Sequence, residues 1–185
     1  MTEVRNTDFA EQARSARYDN IPYNKLDCQA FVETVLKDCG VRKADGTPYN
    51  WTGSNKMWRT ALYWRGTIDE CLHTYGEIPA GAWVFIVSDD GGEKEKGYND
   101  NDGNAKHVGI YADPSSPVPV RDSTRSTRTG RNGVGYRSIR DFTHVGLPYM
   151  IDFNIYGNPN PLKPSKDEAL KALEIVRRYI EEGEF

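Results

Sequence analysis

At 185 residues, with 37% hydrophobic content, eleven Tyr and four Trp, the chain fits one globular domain whose core needs no disulfide staples. Its net charge of −3 excludes a nucleic-acid binder that works by overall positive charge. No apolar run approaches the roughly 20 residues of a membrane-spanning helix, and the polar opening from Met1 to Gln12 lacks the apolar stretch of a secretory leader.

The first predicted element is a short helix from Asp8 to Tyr18, with Phe9 and Ala13 spaced for one face; Pro22 then breaks the helical path. A second helix runs from Cys28 to Cys39. Phe31, Val32, Val35 and Leu36 recur at helical spacing, Asp27 stands at the N-cap position and Gly40 stops the helix. Asp45 to Gly53 reads as turns, and weaker helical signals cover Asn55–Tyr63 and Ile68–His73. The pattern changes after Pro79. Ala82 to Val87 is a β-branched and aromatic run, the signature of a buried strand. Asp89 to Asn104, dense in Gly, Asp, Asn and Lys, reads as an exposed loop.

His107 to Tyr111 is the next predicted strand, and Val118 and Val120 lead a third into Asp122. A Gly/Ser/Thr/Arg-rich loop spans Ser123–Gly133, His144 falls in a Thr/Gly loop, and Tyr149–Phe153 closes the sheet. Helices first and strands afterwards predict an α+β fold with a mainly antiparallel sheet. The expected organisation is one domain over residues 1–157, a Pro-rich linker over 158–164, and a C-terminal helix over 165–185 capped by Ser165.

Three cysteines, Cys28, Cys39 and Cys71, are neither a disulfide framework nor a close-spaced zinc set, so at least one thiol is free. Cys28 opens a helix, where the orphan N–H groups and the dipole favour a thiolate. Of the three histidines, His107 begins a strand, the position from which a ring can be held rigidly against a helix terminus. His73 and His144, like Cys39 and Cys71, read as ordinary structural residues. Asp100-Asn101-Asp102-Gly103 lacks the first Asp and the glutamate of a calcium loop, and no metal is expected there. Six arginines from Arg121 to Arg140 form a basic segment, either a solvated loop or a rim that attracts carboxylates and acidic polymers.

Leu26-Asp27-Cys28-Gln29-Ala30-Phe31-Val32 resembles the D-C-S-G-F-V signature of the NlpC-type, papain-like peptidases of bacterial cell walls. Ala105 to Tyr111 resembles that family's H-V-G-I-Y strand, Gly81 to Phe85 its P-G-D-L-V-F strand, and Ile21-Pro22-Tyr23 its G-x-P-Y element. The four occur in the family's order over roughly Asp8 to Phe153. Gln29-Ala30 stands where the family has Ser-Gly.

The resemblance implies a papain-like core with Cys28 as nucleophile, His107 as base and a third polar residue on the next strand to orient the imidazole. Asp122 is the choice for that residue, with Arg121 beside it as competitor and as a substrate contact. Tyr23 and the backbone at Cys28 or Gln29 are expected at the oxyanion region. The implied activity is hydrolysis of a stem-peptide amide bond in bacterial peptidoglycan, as an endopeptidase, with no metal or organic cofactor. An N-acetylmuramoyl-L-alanine amidase, an acyl transferase and a catalytically idle wall-binding module of the same fold are the alternatives. With no leader expected, the protein would be made in the cytoplasm and reach the wall by phage-type release or within a longer secreted parent.

Overall fold

A computed structural model describes residues 3–89, 100–127 and 129–153, and Met1–Phe153 falls into one compact unit. The expected linker over 158–164, the helix over 165–185 and most of the loop expected over Asp89–Asn104 lie outside the described residues. In chain order the elements are β1 (Val4–Arg5), α1 (Asn6–Ala13), a 3₁₀ turn (Ala16–Tyr18), α2 (Cys28–Asp38), α3 (Ser54–Thr60), β2 (Leu62–Thr67) and α4 (Ile68–Tyr75). There follow β3 (Trp83–Ser88), β4 (Asn104–Tyr111), β5 (Val120–Arg125), β6 (Asn132–Arg137), a 3₁₀ turn (Ile139–Asp141), β7 (His144–Pro148) and β8 (Ile151–Asp152).

The fold is α+β. Six strands form one sheet in the order β2-β7-β3-β4-β5-β6, every neighbouring pair antiparallel. Helix α2 packs on β4 and β5, with α1 against α2. Its apolar stripe of Phe31, Val32, Val35 and Leu36 is buried in one cluster with Trp83, Phe85, Val108 and Ile110. Fully burying side chains of this size stabilises the fold by about 1.5–3 kcal/mol each. Among the described residues, no helix is long and apolar enough to cross a membrane.

Five sequence expectations are corrected. Leu62 and Tyr63, read as the tail of a helix, begin strand β2, because Ala61 ends α3 and the aromatic run pairs with β7. His144 opens β7 instead of lying in a loop, and Ile151–Asp152 pairs in parallel with β1 rather than closing the main sheet. The supposed loop over Ser123–Gly133 is largely a hairpin: β5 runs on to Arg125 and β6 starts at Asn132. Val118 precedes β5 and is 41% exposed, so the inward alternation starts at Val120.

Candidate active site

The chain turns into α2 at Cys28 because the Asp27 carboxylate accepts the Ala30 N–H at 2.8 Å and caps the helix. That places the thiol, 8% exposed, at the positive end of the helix. The wholly buried Ser123 of β5 donates its hydroxyl proton to the Leu26 carbonyl, tying the strand beneath to the segment that leads into Cys28.

His107 lies on β4 beside a bulge. Ile86 of β3 pairs with His107 and Val87 with Ala105, so Lys106 is the extra residue. Just before it, the buried pair Asn55 and Asn104 bond at 2.7 Å and the Ala105 N–H donates to Asn55, fixing the start of β4 to α3. The His107 ring is thereby held beside Cys28, near enough for the two side chains to interact electrostatically. Its Nε2 lies 2.6 Å from Asp122 Oδ2, which leaves Nδ1 for the sulfur.

Asp122 is completely buried on β5, where an unpaired carboxylate would be costly. It has three cationic partners. Besides His107, Arg131 Nη2 stands 2.5 Å from Oδ1 and Arg137 Nη1 stands 3.1 Å from Oδ2. Two glycines make this approach possible. A Cβ on Gly109 of β4 would lie 3.1 Å from Asp122 Cβ and 2.8 Å from Val120 Cγ1. A Cβ on Gly135, the residue facing Asp122 across the hairpin, would lie 2.9 Å from Arg131 Cδ.

The electrostatics favour an ion pair. Burial alone would lower His107, but the hydrogen bond to Asp122, the neighbouring Cys28 and the charges of both raise it to about 9. Burial would raise Asp122; His107 and the two arginines outweigh it and hold the carboxyl below its usual range. Tyr23 completes the cluster. Its N–H donates to Asn132 at 3.1 Å, anchoring the turn to β6, and its ring lies close enough to Cys28 for the two side chains to interact electrostatically. Burial, then the charges of Cys28 and Asp27, push Tyr23 up to about 12, so it stays a donor at neutral pH.

Cys28, His107, Asp122 and Tyr23 therefore meet, whereas two other expected site residues point elsewhere. The Gln29 side chain donates to Glu33 and to the Trp51 carbonyl, leaving only its backbone N–H near Cys28. Arg121 is 3% exposed; it pairs with Asp19, reaches the Ala13 carbonyl and covers the Tyr136 ring at 4.5 Å. Neighbours on a strand face opposite ways, so the expected substrate contact at Arg121 is corrected to a structural ion pair. Arg131 and Arg137, which do touch Asp122, were missed. Only the register of a hairpin inside the Arg-rich run would have found them.

The remaining candidates behave as structural residues. Burial raises Cys39 to about 11, helped by Asp38 and Asp8, and raises Cys71 to about 12. His144 packs edge-on against Trp58 and is lowered by burial. Asp100 and Asp102 bind Arg59 and Arg65. Compared with known proteins, the chain matches no family model, no curated protein and no solved structure at a significant level.

Proposed function

We propose that this chain is a papain-like cysteine peptidase of the NlpC type that hydrolyses an amide bond in the stem peptide of bacterial peptidoglycan. The observation that carries this reading is the buried relay Cys28–His107–Asp122 at a capped helix start. A thiolate at Cys28 attacks the amide carbonyl carbon, forming a tetrahedral oxyanion. Asp27 accepts the N–H groups of Ala30 and Phe31. The N–H groups of Cys28 and Gln29, which have no helical acceptor upstream, are then the oxyanion donors together with the Tyr23 hydroxyl. His107, protonated from the thiol, gives its proton to the leaving amine as the C–N bond breaks. Water, deprotonated by His107, then hydrolyses the thioester and regenerates the thiol. Asp122 fixes the ring orientation and stabilises the imidazolium, while Arg131 and Arg137 keep the carboxylate ionised and in place.

The choice of peptidoglycan rests on the four sequence motifs, and the cysteine chemistry rests on the geometry, so each is tested separately. Mass spectrometry of purified peptidoglycan after incubation should show new amino and carboxyl termini within the stem peptide. Release of intact stem peptide from muramic acid would instead mark an amidase. Neither product, from protein whose Cys28 reacts with iodoacetamide, would retain the thiol chemistry and discard the wall substrate.

A further inference from the structure

We propose that the cleft at the end of the β5–β6 hairpin binds an anionic oxygen group, a carboxylate or a phosphate, recruited by Arg125. The cleft encloses about 720 Å³ and is lined in part by Arg125, Ser126, Arg131, Arg137 and Ser138. Two of these arginines are the ones that hold Asp122 from the other side. Asp141, also in the lining, takes the Arg137 Nε at 3.1 Å. Three guanidinium groups thus face two carboxylates, and one of those, Asp122, is wholly buried.

The wall chemistry is that of donors. Each guanidinium carries five N–H groups, more than Asp122 and Asp141 can occupy. Ser126 and Ser138 accept backbone N–H groups from Thr129 and Arg140 through their oxygens, which leaves each hydroxyl proton to be donated. A concave site rich in N–H and O–H groups, in which guanidinium groups outnumber carboxylates among the described lining residues, selects an oxyanion, because charge-assisted hydrogen bonds to guanidinium are the strong ones. Arg125 is exposed, and among the described residues the ion-pair partners of Asp122 are His107, Arg131 and Arg137, so Arg125 adds positive charge to the cleft without serving the relay. If the proposed hydrolysis holds, the cleft anchors an acidic group of the substrate beyond the amide at Cys28. The binding claim itself does not depend on hydrolysis.

Isothermal titration with inorganic phosphate and, separately, with N-acetyl-D-alanine tests it, at an ionic strength fixed with sodium chloride. Saturable binding of at least one probe is expected, weakened at least tenfold in Arg125→Ala and abolished in Arg125→Glu. Iodoacetamide labelling of Cys28 should stay at the wild-type rate in both variants, which also shows that they fold. Binding of phosphate alone assigns the anion to a phosphate group; binding of N-acetyl-D-alanine assigns it to a peptide carboxylate. No saturable binding of either probe, or equal binding by wild type and both variants, overturns the proposal. Loss of peptidoglycan cleavage with anion binding intact would count against the hydrolysis and not against the cleft.

Discussion

Helix α2 carries a cysteine at each end, and the two ends give the same side chain opposite surroundings. At the C-terminal end, burial first and then the Asp38 and Asp8 carboxylates push Cys39 up to about 11, and the residue sits at the negative pole of the helix. At the N-terminal end, Cys28 meets unpaired N–H groups, the His107 ring and the Tyr23 hydroxyl. Residue type and helix are shared, so the difference in chemistry comes from the surroundings of each end: burial, pole and partners. Thiol reactivity follows the fraction present as thiolate. For Cys39 at pH 7 that fraction is on the order of 10⁻⁴.

The largest effect expected is therefore in labelling. Iodoacetamide at pH 7 should modify Cys28 and leave Cys39 and Cys71 untouched on the same timescale, as read by peptide mapping. Cys28→Ala should abolish both labelling and hydrolysis with the fold intact, since it removes little volume. Cys39→Ala should change neither. Comparable labelling at the two ends of α2 would break the comparison outright.

The next effect sharpens it at neighbouring residues of one strand. Asp122→Asn keeps the shape but removes the charge that stabilises the imidazolium, and kcat should fall by roughly 10²–10⁴. Arg121→Ala, one residue away, faces the Asp19 side, and should lower the unfolding midpoint while leaving kcat and KM near wild type. The reverse pattern would mean that Asp122 serves only as a counter-ion for Arg131 and Arg137.

These two residues also show how far the sequence carries. Cys28 is legible because it sits at a capped helix start, and His107 because it lies in a strand-forming run, although β4 begins at Asn104 and so His107 falls within the strand and not at its start. Asp122 is legible because β alternation from Val120 fixes its face. Arg131 and Arg137 are not, since they reach Asp122 only through the β5–β6 pairing, and that segment is composed of Gly, Ser, Thr and Arg, the residues of loops. The same competition hid β7, where Thr143 and His144 read as turn formers until β2 and β3 pair with either side. Arg121 was misassigned because its burial comes from α1 and the turn after it, contacts about a hundred residues distant in sequence.

A smaller effect lies in pH. His107 is raised to about 9 in the fold, against an ordinary 6.5, so folding favours its protonated form. That contribution is fully present below about pH 6.5 and is lost as pH rises through about 9, with a total on the order of 3 kcal/mol. Urea unfolding at pH 6.5 and pH 9.5 should show the decline in wild type and a flatter profile in His107→Gln. Equal slopes in the two proteins would show that the ring is not held as an imidazolium.

The smallest effect concerns the cap that gives the N-terminal end of α2 its character. Asp27 satisfies the Ala30 N–H, and losing that bond in Asp27→Ala should cost about 1 kcal/mol. For a domain of this size that is a fall of roughly 2–4 °C in Tm. Asp27→Asn separates the cap from the charge, because asparagine caps about as well as aspartate. If the hydrogen bond is what orders the helix start, Asp27→Asn should melt close to wild type and label at Cys28 at nearly the same rate. Asp27→Ala should label more slowly, since a frayed first turn no longer holds the sulfur against His107. If Asn and Ala instead melt alike, the stabilisation comes from the carboxylate charge acting on the helix dipole, and the cap geometry is incidental.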